Sequence, residues 1–191
     1  MLLKVAARAH NAIVVTDSLG TTRPLKVLNY LSGGLRQTRL DAGAVADPQA
    51  GYTEGMQLTF PDNSIYLVSR TTDDYYKNDI IRTNIELVKS NNKVTVLRQV
   101  ALTNSQGGVK GHVDTAVYSD LPCKIIPFSQ TQDKTDDVLL STYVVMIPSV
   151  CPVQINDRLQ FLHTYNVAKV EGIKSVVGGL LELTFDRDLR W

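Results

Sequence analysis

The chain has 191 residues and a mass of 21.1 kDa, enough for one large domain or two small ones, and 43% of its residues are hydrophobic. Its 20 basic and 19 acidic side chains give a formal net charge of +1. Neither half carries the excess of cations that phosphate binding by counterion release requires, so tight nucleic-acid binding is not expected. Lys4 and Arg8 interrupt the apolar N-terminus, so we expect no secretion signal, and no apolar run approaches the roughly 18 residues of a membrane helix.

Residues 1–12 are rich in helix formers and predict a short amphipathic N-terminal helix. Such a helix packs on its own domain or serves as a docking arm for a partner. Residues 13–16 and 24–31 read as two strands, each followed by a turn signal. Residues 33–55 are rich in glycine and small polar residues and predict a long loop, with room for one short strand over residues 35–40.

A β-hairpin is predicted over residues 56–69, with a four-residue turn at 61–64. The charged segment 71–79 reads as a loop, and residues 80–88 return as a strand. Residues 89–93, with the sequence KSNNK, are the natural linker to the second half. We therefore expect two units, a β-rich N-terminal unit over residues 1–90 and a β-barrel over residues 94–191.

Three anchors of the first half resemble three of the second half in type and order. Residues 58–60, 65–68 and 85–87 run parallel to residues 159–161, 165–167 and 181–183. The spacing between the anchors differs greatly in the two halves, so a degenerate tandem repeat and a coincidence both stay open. A true repeat implies that both halves are small antiparallel barrels.

The second half begins with a predicted strand over residues 94–102 and a glycine-rich loop over 103–114. Residues 116–128 are apolar, with bends expected at Pro122 and Pro127. After the polar loop 130–137, a β-branched run over residues 139–147 ends at Pro148, which has no N–H for a sheet ladder.

A turn and a hairpin follow that run. The turn is predicted at residues 155–157, because Asn accepts positive φ and Asp bonds to its own backbone. A strand over residues 158–162, a reversal at residues 163–164 and a returning strand over 165–170 complete the hairpin. Alternation places the apolar side chains of these strands on one core face; the residues assigned to this core and turn are Asn156, Asp157, Leu159, Phe161, Leu181 and Leu183.

No catalytic constellation is visible in the sequence. The three histidines, His10, His112 and His163, are scattered without metal-ligand spacing. Cys123 and Cys151 are expected to be free buried thiols, although a bridge between them is sterically conceivable. We therefore expect a structural or interaction protein with no enzyme activity, no metal and no cofactor.

The motifs of the second half resemble those of the head-closure proteins, the stoppers and adaptors in the necks of tailed bacteriophages. The resemblance covers about half the chain, from residue 94 to the C-terminus. It rests on a long strand ending in Pro148, then a turn of the form x-G-D-R-L, then the pattern Y-x-V-x-x-V. Asn156 stands where that family usually has Gly, and His163-Thr164 replaces a turn that contains Gly.

The resemblance implies a mainly antiparallel β protein that forms a homo-oligomeric ring in the virion, after assembly in the host cytoplasm. The implied partners are the portal or adaptor protein, tail proteins, and double-stranded DNA that passes without sequence-specific binding. The polar loop would lie at the channel, and its candidate residues are Gln130, Asp133, Lys134, Asp136 and Asp137. The C-terminal tail ends on the only Trp and could dock on a neighbour; its candidate interface residues are Arg187, Leu189, Arg190 and Trp191.

Two other functions remain open at this point. A tail-completion or baseplate structural protein has the same composition and β-rich design. A binding barrel for oligonucleotides or sugars is a different class, which needs aromatic and cationic side chains together on one sheet face. The best candidates for such a face are Tyr66, Tyr75 and Tyr76, with Arg70 and Lys77 nearby.

Overall fold

The protein is described by a computed structural model that covers residues 12–28, 41–128, 142–162, 167–175 and 178–186. The described residues form β-strands and one short 3-10 helix (Pro48–Ala50). The strands are β1 (Ile13–Asp17), β2 (Thr22–Leu28), β3 (Ala42–Ala46), β4 (Gln57–Thr59), β5 (Ile65–Tyr76), β6 (Asp79–Lys89), β7 (Asn92–Thr103), β8 (Val109–Phe128), β9 (Thr142–Pro148), β10 (Arg158–Phe161), β11 (Val167–Ser175) and β12 (Leu180–Asp186).

The first six strands close into an antiparallel barrel in the order β1-β2-β3-β6-β5-β4. Its core contains large side chains with no solvent exposure, such as Leu58, Val68 and Leu87. These residues point inward because alternate residues of a strand face opposite sides of a sheet. Closure removes the free edges that an open six-stranded sheet would leave.

The last six strands close into a second antiparallel barrel in the order β7-β8-β9-β12-β11-β10. This is the order of the first barrel with six added to every strand number. The anchors that the sequence aligned lie in matching places, since residues 58–60 and 159–161 fall at β4 and β10 and residues 85–87 and 181–183 fall in β6 and β12. The tandem barrels therefore give the proposed repeat a structural counterpart.

Two segments that read as loops are strands. Residues 71–76 continue β5, and only Lys77 and Asn78 form the turn to β6, with φ angles of 49° and 71°. Two consecutive residues with positive φ are typical of the type I′ turn, which matches the twist of a two-stranded hairpin. Cross-strand pairs such as Asp74 with Arg82 hold the polar strand ends together. The β propensity of the single residues does not predict such pairs.

The glycine-rich segment 103–114 was also expected to be a loop, but most of it belongs to strands. β7 extends to Thr103 and β8 begins at Val109, so only residues 104–108 form the turn. The Asn104 side chain stabilises that turn by accepting hydrogen bonds from the N–H groups of Gln106 and Gly108. β8 then runs for 20 residues through Pro122, and its register with β7 shifts at three places: near Asp120, which has a φ of 55°, between Tyr118 and Ala116, and between Gly111 and Val109.

Three further expectations concern the first half. Residues 42–46, which were expected to belong to a long loop, form β3 and pair with both β2 and β6. The short strand expected over residues 35–40 lies outside the described residues. The N-terminal helix expected over residues 1–12 falls almost wholly outside them too.

The chain divides into two compact units. The first comprises residues 1–90, 148–150 and 175–180, and the second comprises residues 91–147, 151–174 and 181–191. The main division falls between Ser90 and Asn91, inside the segment 89–93 that was expected to be a linker. Each unit contains one barrel core, and the two cores share no residue.

Candidate functional site

The two groups of residues that the sequence assigned to the channel and to the subunit interface lie outside the described residues. The channel group is Gln130, Asp133, Lys134, Asp136 and Asp137, and the interface group is Arg187, Leu189, Arg190 and Trp191. The third group, assigned to the core and turn of the second barrel, lies within them. The candidate site within the described residues is therefore the turn at Asn156 and Asp157, before β10, together with the surfaces around it.

Asn156 and Asp157 form the turn that leads into β10. Asn156 has a φ of 76°, the left-handed conformation that Gly adopts freely and Asn accepts at modest cost. Its N–H donates to the carbonyl oxygen of Val170 at 3.0 Å, and the Val170 N–H donates to the carbonyl of Asp157 at 2.8 Å. These two bonds fix the register of the turn against β11.

The Asp157 carboxylate is buried and organises this turn. It accepts two hydrogen bonds from the Arg98 guanidinium, from Nε at 2.9 Å and from Nη2 at 2.8 Å, and one from the Gln154 N–H at 2.7 Å. Arg98 Nη2 also donates to the Pro152 carbonyl at 2.9 Å. This bidentate ion pair holds β7 to the turn. The hydrogen bond with Asp157 also raises the pKa of Arg98.

The side chains predicted to share one core lie in the second barrel as follows. Leu159 and Leu183 have no solvent exposure, Phe161 is buried, and Leu181 is partly buried against the same cluster. The Phe161 and Phe185 ring centroids are 5.5 Å apart with a tilt of 41° between the rings. This arrangement is the ordinary packing of a barrel interior, and it leaves Leu159, Phe161 and Leu183 almost no surface for a ligand.

A second buried ion pair occurs in the first barrel at the end of β1. The Asp17 carboxylate accepts hydrogen bonds from the N–H groups of Leu19 and Thr21 at 2.9 and 2.8 Å, and it pairs with Arg23 Nη2 at 3.1 Å. Arg23 also donates to the carbonyl oxygen of Ala50. Asp17 thus ties the β1–β2 turn to the segment that follows β3.

Acid should weaken the first barrel through Asp17. The backbone hydrogen bond from Thr21, followed by the Arg23 side chain, lowers the pKa of Asp17 from its ordinary value of 3.8, although burial opposes the shift. Because the folded pKa lies below the unfolded one, the stabilisation is present at neutral pH and is lost as the pH falls through the folded pKa. Thermal melts against pH should show that loss, and Asp17→Asn should melt lower at neutral pH and lose part of the acid dependence.

The aromatic and cationic residues considered for a binding face are dispersed. Tyr66 stacks on Phe60 with ring centroids 4.3 Å apart, and Lys89 Nζ lies 5.9 Å from the Tyr66 ring. Tyr76 is ten residues further along β5, which is roughly 33 Å in an extended strand. Tyr75 and Tyr76 are exposed neighbours that point to opposite faces, and Lys77 lies over the Tyr76 ring at 5.4 Å. They do not form one stacking platform.

The outer half of the β7–β8 hairpin is the main exposed feature of the second unit. We call residues 99–117 the β7–β8 arm. Every residue of the arm is solvent-exposed except the half-buried Asn104 and Gly111, and the exposed large apolar side chains are Val100, Leu102, Val109, Val113 and Val117. Sequence reasoning missed this feature, although the alternation on both sides of a glycine-containing turn could have revealed it.

Cys123 and Cys151 are buried thiols, as expected, and burial raises the pKa of both, that of Cys123 to about 12. His112 is exposed on the arm, whereas His10 and His163 lie outside the described residues. Across the described ranges, no three His, Cys, Asp or Glu side chains are grouped so as to hold a metal ion. Those ranges also contain no helix that is both long and apolar enough to span a membrane.

Comparison of the sequence with protein-family models and with curated proteins found no match.

Proposed function

We propose that this chain is a structural component of the neck of a tailed-phage virion, where copies form a ring that joins the portal to the tail. The observation that carries the proposal is the conformation of Asn156. This residue occupies the position where the head-closure motif usually has Gly, and it has the positive φ that a Gly there would provide. Asn at this position is therefore compatible with the motif.

Two further features support the proposal. Pro148 ends β9, and Arg158 begins β10 directly after the turn, so these two parts of the motif lie at the ends of strands. The motif also belongs to a closed antiparallel barrel with its own buried core. The N-terminal helix over residues 1–12, with its apolar spacing, belongs to the proposal as an additional docking element.

The proposed task is mechanical and uses no cofactor. The polar loop 130–137 carries three aspartates and one lysine, and we place it at the channel. An acidic loop repels DNA phosphates, whereas a cationic one would hold the genome and impede its passage. DNA would therefore pass without sequence-specific contacts while the ring supplies the seal.

Mixing the purified full chain with portal and tail-tube proteins from the same genome tests the proposal. Electron microscopy should show rings of this chain bound to the portal, alone or together with the tail tube. Absence of binding to both, in conditions where portal and tail tube form their own rings, would rule out the neck function. Binding to the tail tube alone would favour the tail-completion alternative.

Deleting residues 189–191 should abolish this assembly while thermal unfolding of the free chain stays nearly unchanged. The reason is that Trp and Arg are the residue types most enriched at interface hot spots, and this tail ends on the only Trp of the chain. Replacing Leu189 alone with Ala is a milder variant with the same expected direction. A large loss of thermal stability with assembly retained would instead show that the tail packs on its own unit.

The Asn156 conformation can be tested without any partner. Asn156→Gly should leave the melting temperature unchanged or slightly raised, because Gly adopts positive φ freely. Asn156→Ala should destabilise the chain by about 1 kcal/mol, since a Cβ without a local hydrogen bond disfavours that region. Differential scanning calorimetry of the three proteins gives the comparison, and equal effects of Gly and Ala would contradict the assigned backbone geometry.

A further inference from the structure

The outer face of the first barrel carries apolar side chains close to the first described residue. Val14 lies opposite Pro24, and both side chains point away from the core because Val15 and Leu25 point into it. Leu28 is on the same side of β2 as Pro24. Val14 is 58% exposed and Leu28 is 40% exposed. With Val45 of β3, which lies beside them, these residues form what we call the outer patch: Val14, Pro24, Leu28 and Val45.

A recess opens in the outer patch where β2 and β3 separate. Lys26 lies opposite Val45, and towards the start of β2 no further pair joins the two strands within the described residues. One reason is that Pro24 has no N–H to donate to β3. Ala12, Pro24, Lys26, Val45 and Asp47 are among the residues that line the recess. Its charges, Lys26 and Asp47, are balanced, so the apolar side chains decide what binds there; contiguous exposed apolar residues with a polar rim are typical of a binding surface.

Residues 1–11 enter the described structure at this recess, because Ala12 is one of its lining residues. This segment contains the large apolar residues Leu2, Leu3 and Val5 and no acidic residue. Eleven residues span roughly 16 Å as a helix and roughly 36 Å as a strand. The patch from Pro24 to Leu28 is four strand residues long, roughly 13 Å. The segment is therefore long enough to cover the patch in either conformation.

The covalent connection selects this segment as the occupant. A segment joined to its site by a short linker is present there at an effective concentration on the order of 1 mM. The same segment of another copy, or a soluble partner at micromolar concentration, competes at a disadvantage of about a thousand-fold. A weak apolar contact is therefore sufficient within one chain although it is insufficient between two chains.

We propose that residues 1–11 bind the outer patch of their own barrel, with Leu2, Leu3 and Val5 as the apolar anchors. The contact covers Val14 and Leu28 and closes the recess between β2 and β3. In an assembled neck the segment has to leave this patch before it docks on another protein. The contact therefore holds the segment back while the chain is free.

This contact goes beyond the proposed neck function and does not rest on it. It is measured on the free full chain, without portal or tail-tube proteins. Failure of ring assembly leaves the contact standing, and failure of the contact leaves ring assembly standing.

Limited trypsin digestion of the full chain tests the contact through the cleavable bond after Arg8. With an effective concentration of about 1 mM and a Kd of about 0.1 mM for the segment, cleavage should be about ten-fold slower than in a chain whose patch cannot bind it. Val14→Asp puts a charge into the patch and should give that ten-fold faster cleavage. Leu19→Asp is the matched control, since Leu19 is 88% exposed in the turn between β1 and β2. It should be cleaved at the wild-type rate.

Leu3→Ser is a second variant, in the segment itself, and it should also accelerate cleavage while the melting temperature stays within the range of the wild type. It keeps the test decisive if Val14→Asp unfolds the barrel. Equal cleavage rates for the wild type, Leu3→Ser and Leu19→Asp would overturn the proposal.

Photo-crosslinking of the full chain identifies the surface that the segment contacts. The photoreactive residue p-benzoylphenylalanine at position 3 should give an internal cross-link, in the monomer, to peptides that contain residues 24–28 or 43–47. The same residue at position 19 should give no cross-link to residues 1–11. A cross-link from position 3 to a second copy or to another face, or no cross-link at all, would show that the outer patch is not the binding surface.

Discussion

Replacing Phe161 with Ala should lower the free energy of unfolding of the second barrel by about 3 to 5 kcal/mol. The Phe161 side chain is only 8% exposed and contacts the core cluster that includes Phe185 and Val170. Truncation removes the transfer free energy of the ring and leaves a cavity between β10 and β12 that the closed barrel can only partly fill. Chemical denaturation followed by circular dichroism measures the loss.

Leu162 provides the matched control for Phe161. It is the next residue in the chain, it is also large and apolar, and it is 56% exposed. Leu162→Ala should therefore change stability by no more than about 0.5 kcal/mol. Comparable losses for the two variants would mean that the register of β10 is displaced by one residue, because such a displacement exchanges the two faces.

Replacing Leu58 or Leu159 with Ala should destabilise by about 2 to 5 kcal/mol in each case. The two residues occupy matching positions, on β4 of the first barrel and β10 of the second, and neither has any solvent exposure. Since the two barrels have separate cores, each substitution should act mainly on its own unit. The two effects should also add in the double variant.

Hydrogen exchange followed by mass spectrometry resolves these effects by segment. Leu58→Ala should accelerate exchange of peptides from β4 to β6, and Leu159→Ala should accelerate exchange of peptides from β10 to β12. Arg70→Ala, at an exposed position of β5, is a control expected to change neither set. Acceleration of both barrels by either core variant would show that the two units unfold as one cooperative body.

Local patterns in the sequence were sufficient for the regular short elements. The hairpin from β4 to β5, the end of β9 at Pro148 and the turn at Asn156 were all predicted, because turn residues and strand alternation act within a few residues. The mainly antiparallel β class with two barrels was also predicted from the alternation of short strands with turns, and the closed barrels confirm it. The placement of Leu159 and Leu183 toward one core followed from the two-residue period of strands.

The long hairpins could not be predicted from propensity. Residues 71–76 are all Thr, Asp or Tyr, and their strand conformation depends on partners in β6 such as Arg82 and Thr83. Residues 109–114 likewise follow a glycine-containing turn, and their conformation depends on pairing with β7. Cross-strand neighbours decide such cases, and they are not adjacent in the sequence.

Part of the candidate site was equally inaccessible to sequence reasoning. Asp157 was assigned to a turn, but nothing in its neighbourhood in the sequence identifies Arg98 as its partner, 59 residues away. The same holds for the contact of Arg23 with the carbonyl of Ala50, across 27 residues. These contacts exist because barrel closure brings residues that are distant in the sequence side by side.

The sequence by itself determined which residues alternate, where turns interrupt the strands and which side chains of each strand are apolar, because these properties depend on neighbours within a few residues. Only the tertiary structure decided the strand order, the closure of six strands into each barrel and the exposure of the β7–β8 arm. The physical reason is that an apolar residue such as Val100 carries no local mark of whether another strand covers it. Burial is settled by the pairing of distant strands, and that pairing ends before it reaches the arm.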